Sequence, residues 1–328
     1  MILTADTHFT SNDADSYRWM LFDELARLLK HDRDKHIYIL GDLTDRRDRH
    51  PSDLVNQLID RFRNLTAQGA KVTILMGNHD RPLYAEKPYW AFLSDVPNLS
   101  FIRTPTAQGR LLLLPWCKDP SAEWSDITME LYQAAFCHQT FDGAHMGGNR
   151  IFDGGLNADR LFPAGCRIFS GDVHVPQKLG RVTYVGSPHP IKFGDVYRCR
   201  VLILDGQFNI HEDITLHPPS KPTITLRSVD ELQNTVVHRG DSAKVRLILP
   251  MERMSEWAQD RAAIEAWGRE RGVTIAGIEP TVEVGTRTAD AHGFTDPFEI
   301  LAAFADAEGI VDEVLLTGFE LMEEAKGV

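Results

Sequence analysis

Short apolar runs that each end in a polar string organise the first 215 residues of this 328-residue chain. Residues 2–4, 36–40 and 72–76 read as buried strands, and 21–30 and 54–65 place apolar side chains at helical spacing between them. Strand–helix–strand repeats of this size imply an α/β sheet with helices on its faces. Further strands are predicted at 110–114, 133–137, 167–170, 182–185 and 200–204. That β-rich second half implies two packed sheets, not one doubly wound sheet. The predicted fold class is therefore an α/β two-sheet sandwich flanked by helices, spanning residues 1–216.

The string His217-Pro218-Pro219-Ser220-Lys221-Pro222 reads as a linker. A compact pattern follows it: a strand at 223–226, a helix at 229–236, a strand at 243–249, a helix at 254–271 and a strand at 274–279. This predicts a small α+β domain over 223–284. A second break runs through 285–297. In the tail, 297–328, Phe298, Leu301 and Ala305 make one apolar helical stripe, and Val311, Val314, Leu315, Gly318 and Met322 make another.

Five strings carry chemistry: Asp6-Thr7-His8, Gly41-Asp42-Leu43-Thr44-Asp45, Gly77-Asn78-His79-Asp80, Cys137-His138 and Gly171-Asp172-Val173-His174. Four directly follow a predicted strand, and His138 falls at the end of one. Carboxyl ends of strands are where sites assemble in open α/β sheets. Asp6 and His8, like Asp172 and His174, are two apart, so their side chains share a direction on extended backbone. The glycines before Asp42, Asn78 and Asp172 allow a sharp turn off the strand. Imidazole suits transition metals, while carboxylate and amide oxygens suit harder cations. The mixture fits a pair of divalent ions, and two ions about 3.5–4 Å apart clamp the attacking and leaving oxygens of a phosphoryl transfer. A carboxylate such as Asp42 can bridge them. The four cysteines form no C-x-x-C pair and are read as reduced, inert thiols.

The formal net charge is −12, whereas nucleic-acid binding is usually associated with a basic surface. Residues 284–328 hold ten acids and two bases, a local −8, which leaves −4 for the first 283 residues. Bound divalent cations would offset more of it, so the balance does not exclude a nucleic-acid substrate. No apolar run approaches the roughly 18 residues of a membrane span. The start lacks the basic and apolar regions of a signal peptide. A cytoplasmic location (the nucleoid or a phage-infected cell) is expected, with no membrane partner.

These five strings resemble the calcineurin-like metallophosphoesterases. Within them, Gly186-Ser187-Pro188 followed by Phe193-Gly194-Asp195 looks like the SbcD-type DNA-repair nucleases, which include the meiotic-recombination-eleven nuclease and phage recombination endonuclease subunits. The match covers about residues 1–200 by motif; beyond that it rests on layout. The resemblance implies that Asp6, His8 and His174 hold one metal and that Asn78, His138 and Asp172 hold the other, with Asp42 between them. His79 would be the general acid or transition-state stabiliser, oriented by Asp80. Asp45 would contact substrate or catalytic groups. One position departs from the pattern: the last string is usually Gly-His-x-His, and here Asp172 replaces the first histidine. Aspartate favours Mn²⁺ or Mg²⁺ over Zn²⁺, so two Mn²⁺ ions are the expected cofactors, with Mg²⁺, Fe²⁺ and Zn²⁺ as alternatives. The implied activity is exo- and endonucleolytic hydrolysis of DNA. The implied assembly is a homodimer, with 223–284 as a capping domain and 297–328 docked on an SMC-like ATPase.

Arg46, Arg47 and Arg49 leave the second string and have two readings, contact with substrate phosphates or a solvated loop whose charge Asp45 and Asp48 nearly cancel. Tyr84, Tyr89 and Trp90 are read as packing in preference to base stacking. His145 and His189 lie near the motifs and are read as non-ligands. A small-molecule or cyclic-nucleotide phosphodiesterase on the same fold is the rival function. A protein phosphatase fits less well, since the strings read GDLTDRRD and GNHD. A scaffold that has lost its metals ranks last, because all seven ligand positions hold a residue able to ligate.

Overall fold

The tetraleucine Leu111–Leu114 shows how the core is built, because its side chains alternate between two separate hydrophobic clusters. Leu111 and Leu113 face one, and Leu112 and Leu114 the other. A strand points successive side chains to opposite faces, so a continuous apolar run is what a strand buried on both sides requires. The same split occurs at β1, where Leu3 joins one cluster and Ile2 another. The computed structural model describes residues 1–282, apart from 32–33, 84–85 and 149.

The strands are β1 (Ile2–Thr4), β2 (His36–Ile39), β3 (Lys71–Leu75), β4 (Leu99–Ile102), β5 (Thr106–Gln108), β6 (Leu111–Leu114), β7 (Ala134–His138), β8 (Arg167–Gly171), β9 (Gln177–Leu179), β10 (Val182–Tyr184), β11 (Arg200–Leu204) and β12 (Ile210–Thr215). They form two six-stranded sheets, in the orders β12-β11-β1-β2-β3-β4 and β5-β6-β7-β8-β10-β9. The run from β1 to β4 is parallel, as is the run β6-β7-β8-β10, and β11, β12, β5 and β9 pair antiparallel. The chain thus folds as the two-sheet α/β sandwich. Leu3, Tyr38, Leu40, Leu75, Phe136 and Phe169 fill the space between the sheets.

Helices α1 (Met20–Leu29) and α2 (Ser52–Ala67) cover the outer face of the first sheet. In α2 the buried residues are Leu54, Leu58, Phe62 and Leu65, one stripe at helical spacing. Phe62 is fully buried, and truncating such a phenylalanine costs about 3–5 kcal/mol. Anchored this way, the helices fix where the ends of β1, β2 and β3 lie.

Residues 223–282 form a three-stranded sheet, β13 (Thr223–Leu226), β14 (Ser242–Leu249) and β15 (Thr274–Val282), with helix α3 (Trp257–Arg271) and a cluster of their own. The helix expected at 229–236 is instead a 3₁₀ segment, Val229–Asn234. Its Ser228 cap pulls the first turn tight, and it ends at Thr235 in extended backbone. The helix expected from 254 begins at Trp257, after another 3₁₀ segment. Strands at 99–102, 106–108, 177–179 and 210–215 were not predicted. All four are sheet edges, and three of them carry only half-exposed or exposed residues, so they lack the apolar run that marks an interior strand. Met1–Leu249 and Arg253–Thr281 form one compact unit. The stripes expected in 297–328 lie outside the described residues. No helix among the described residues is long and apolar enough to cross a membrane.

Candidate metal centre

All five strings meet at the carboxyl ends of parallel strands. Asp6-Thr7-His8 follows β1, Asp42 follows β2 and Asn78 follows β3 in the first sheet; His138 ends β7 and Asp172 follows β8 in the second. Residues as far as 168 positions apart, Asp6 and His174, are thereby brought into one cluster. The oxygens and nitrogens of Asp6, His8 and His174 lie within 4.8 Å of one another, as do those of Asp6, Asp42 and His138. Asp42 stands between two histidines, with Oδ2 3.6 Å from His8 Nε2 and Oδ1 3.4 Å from His138 Nε2. Asn78 Oδ1 is 3.1 Å from the same His138 nitrogen.

The backbone there is held in conformations that L residues avoid. Seven non-glycine residues in the described chain have positive φ, and four are Asp6 (50°), His8 (42°), Asp42 (53°) and Asp172 (75°). Each such residue costs on the order of 1–3 kcal/mol unless its surroundings over-determine it. The preceding glycines are required chiefly by space. A Cβ on Gly77 would sit 2.2 Å from Asp42 Oδ1, and one on Gly171 2.2 Å from the Leu40 carbonyl. Only Gly41, at φ 87°, also serves the sharp turn expected from the sequence.

Contacts at Nδ1 orient two of the histidines. His138 Nδ1–H donates to the Leu40 carbonyl at 2.6 Å, and His8 Nδ1 lies 2.7 Å from Asp45 Oδ1 in an ion-pair contact without hydrogen-bond geometry. Both contacts engage Nδ1 and leave Nε2 facing Asp42 in the cluster. His8 Nε2 lies 3.2 Å from His174 Nε2. Burial and the neighbouring His8 push the His174 imidazole down to about 3, so it is neutral. Burial would raise the Asp42 carboxyl, but His138, His8 and His79 around it hold it below its usual range. Asp6 is pushed well up, first by burial and then by Asp42 and Asp172. His138 is raised by Asp42, Asp172 and Asp6 against the opposing effect of burial.

These groups fit a bound cation. Asp6 Oδ2 is buried without a hydrogen-bond partner. The outer end of the Asn78 carboxamide faces both Asp42 oxygens, at 3.0 and 3.1 Å, as well as His138 Nε2. Turned over, the amide gives its N–H groups to these acceptors; with its oxygen inward, it is placed as a ligand for a shared metal.

Several expected roles look different in three dimensions. Asp80 does not touch the His79 ring. It is fully buried and accepts from Gly77 N–H at 2.9 Å and Leu43 N–H at 3.1 Å, which locks the second and third strings together. Burial, then Asp42, pushes its carboxyl up to about 7. His79 is oriented instead by the backbone carbonyl of Asp45, which accepts from Nδ1–H at 2.8 Å. The Asp45 side chain serves His8, so its contact is with a candidate ligand. Asp172 lies at the edge of the cluster. Its Oδ1 is 3.7 Å from His138 Nε2, and its other oxygen accepts from Thr140 Oγ1.

Supports that the sequence did not reveal come from remote segments. Arg18, 2% exposed, donates to the His8 carbonyl and to the Ile191 carbonyl. Ser187 Oγ donates to the Asp6 carbonyl at 2.9 Å, and His189 Nε2–H to the Thr7 carbonyl at 2.6 Å. Burial and Arg18 keep His189 neutral. The only advance sign of this bracing was the Gly-Ser-Pro string itself.

The cluster opens into a cleft of about 540 Å³ lined by His8, Asp42, Asp45, Asn78, His79, Asp172 and His174, and also by Arg150, Ile151 and Lys192. Arg46 lines a neighbouring cavity of about 360 Å³ that shares Asp45 with it. Arg47 and Arg49 line neither. Trp90 is fully buried and donates to Thr44 Oγ1 at 3.1 Å, and Tyr89 packs on it, so both are packing residues. Tyr84 lies outside the described residues. His145 is exposed and lines neither cavity. All four cysteines are free and buried.

Among solved structures, the Pseudomonas putida nuclease MPE is similar over 61% of this chain and 82% of its own, with 16% identity and a TM-score of 0.32. No curated protein sequence matches significantly. The family model of the calcineurin-like phosphoesterases matches residues 1–176. That span holds every residue of the cluster, and the chain belongs to this family of metal-dependent hydrolases.

Proposed function

We propose that this protein hydrolyses phosphodiester bonds in DNA with two divalent cations, Mn²⁺ foremost. The carrying observation is the pair of ligand groups that share Asp6, with one oxygen of Asp42 turned toward each, at the floor of an open cleft. Asp6, His8 and His174 would hold one ion and Asn78, His138 and Asp172 the other, with Asp42 between them. Two cations at such a site supply the positive charge that stabilises the attacking and leaving oxygens of an in-line displacement. The chain's own residues do the rest. His79 lines the cleft and gives Nδ1–H to the Asp45 carbonyl, so Nε2 is the atom that delivers a proton to the leaving oxygen. Asp45, through His8 Nδ1, keeps that ligand's Nε2 turned inward. Asp80 keeps the strings carrying Asp42 and His79 in register.

A polymeric substrate is supported by the open cleft, the cations Arg150 and Lys192 that line it and Arg46 in the adjoining cavity. The SbcD-type reading, exo- and endonuclease action in DNA repair or recombination, rests on the Gly186-Ser187-Pro188 and Phe193-Gly194-Asp195 strings. The same resemblance supports a homodimer and a partnership of 297–328 with an SMC-like ATPase. The test is degradation of end-labelled single- and double-stranded DNA in Mn²⁺, Mg²⁺ or EDTA, beside a chromogenic diester. Mn²⁺-dependent cutting of DNA is the expected result. Hydrolysis of the small diester with DNA left intact, even with the ATPase added, would overturn the DNA reading in favour of a small-molecule phosphodiesterase.

A further inference from the structure

Two hydrogen-bonded segments line the cleft together with His174, and among the described residues each presents a cation with no side-chain partner. The first is the hairpin-like segment 141–156, described apart from residue 149. Asp142 N–H donates to the Leu156 carbonyl at 3.0 Å, Phe152 N–H to the Ala144 carbonyl at 2.8 Å and Met146 N–H to the Arg150 carbonyl at 2.9 Å. Gln177 then grips His145 on both its backbone groups, at 2.8 and 2.7 Å, and ties the hairpin to β9. The tip carries Arg150 beside Ile151, whose side chain is 61% exposed although it lines the cleft.

The second is the turn at 191–195. Asp195 Oδ2 accepts from Ile191 N–H at 3.0 Å and from Lys192 N–H at 2.7 Å. Gly194 makes the turn at φ 87°, and Lys221 Nζ lies 4.7 Å over the Phe193 ring, so the turn is fastened from behind. Lys192 stands exposed at its crest, on the cleft. Among the described residues neither Arg150 nor Lys192 has a side-chain ion pair or hydrogen bond, although both backbones are held firmly. A fixed backbone that offers an unpaired cation to a cleft suits an anion brought by the ligand.

We infer that Arg150 and Lys192 bind the phosphate next to the scissile one on a nucleotide chain, with Ile151 against the sugar or base between them. This inference rests on the phosphodiesterase reading and deepens it, since a subsite for a second phosphate selects an oligonucleotide over an isolated diester.

The experiment uses two chromogenic substrates with the full-length protein in Mn²⁺: the p-nitrophenyl ester of thymidine 5′-phosphate, and the same ester lengthened by one nucleotide, which adds one phosphate. The wild type should favour the longer ester in kcat/KM, and Arg150→Ala with Lys192→Ala should reduce that preference roughly tenfold per cation removed. The loss should fall on KM for the longer ester, leave the shorter one unchanged and recover with Lys192→Arg. Both side chains are exposed and, among the described residues, neither makes a hydrogen bond or ion pair that folding would lose. Equal use of both esters by the wild type, or a preference that survives the double substitution, overturns the inference. So does turnover of neither ester. A preference that disappears on substitution while long DNA stays uncut supports the inference and sinks the DNA reading. DNA cutting with an insensitive ester ratio does the reverse.

Discussion

The two halves of the candidate metal centre share Asp6 and are built to different standards. On the His8 side, His8 and Asp6 are both braced. Asp45 holds His8 Nδ1, Arg18 holds the His8 carbonyl, and Ser187 holds the Asp6 carbonyl. His8 and Asp6 are 1% and 0% exposed. On the His138 side, His138 is held by a single backbone carbonyl, and Asp172 is 18% exposed on its side chain, with one oxygen engaged by Thr140. Supporting hydrogen bonds fix ligand orientation, and losing one typically costs 10–100-fold in metal affinity. The first half is therefore preorganised, while the second depends on Asp172 turning toward the ion. The family's usual histidine would have no second oxygen to divide between Thr140 and a metal.

Asp42 breaks the comparison most severely, because it faces both halves. Asp42→Ala is expected to abolish phosphodiester hydrolysis and to lower metal content at both sites, read by elemental analysis. A variant that loses only one equivalent of metal would mean Asp42 belongs to one half. His79→Ala comes next: both metals retained, turnover reduced by roughly 10²–10⁴-fold. Wild-type turnover in that variant would remove His79 from the proton transfer.

Asp45→Ala separates the halves. The His8 side should lose roughly 10–100-fold in affinity, while the backbone carbonyl that orients His79 is untouched. Calorimetric titration should then show one weakened site and one unchanged. Equal weakening of both would count against the bracing described for the His8 side.

The smallest effect concerns protons. His138 and Asp6 have raised affinities for a proton, whereas His174 is already neutral. Ligands must be unprotonated to bind, so metal uptake at neutral pH should release protons from the first two, and affinity should rise with pH. Titrations in buffers of different ionisation enthalpy measure that release. Thr140→Val, which frees the second Asp172 oxygen, should shift the affinity of the His138 side alone.

Much of this was legible in the chain. The strands that carry the strings are interior and buried on both faces, so their apolar runs announce them. The edge strands β5, β9 and β12 alternate less clearly and escaped notice. The candidate ligands were legible for a related reason. Each is placed by its own strand end, and the glycine before three of them marks a close approach of backbones.

The supporting contacts were not legible. Arg18 could equally have been a surface arginine on a helical stretch, and Thr140 and Ser187 carry no signature of their own. Asp80 was assigned to the right neighbourhood but not to its partners, and for Asp45 the sequence named no particular partner. Asp80 meets backbone N–H groups 3 and 37 residues away, and the Asp45 carboxylate, beyond β2, meets His8, beyond β1. Hydrophobic periodicity and local turn chemistry act within one element, so the sequence by itself determined the sandwich, the strand ends and the ligand types placed on them. Which side chain orients which ligand, and which cations stand unpaired over the cleft, depends on distances between elements far apart in the chain. Only the packing of the two sheets and the loops at their carboxyl edge decided those.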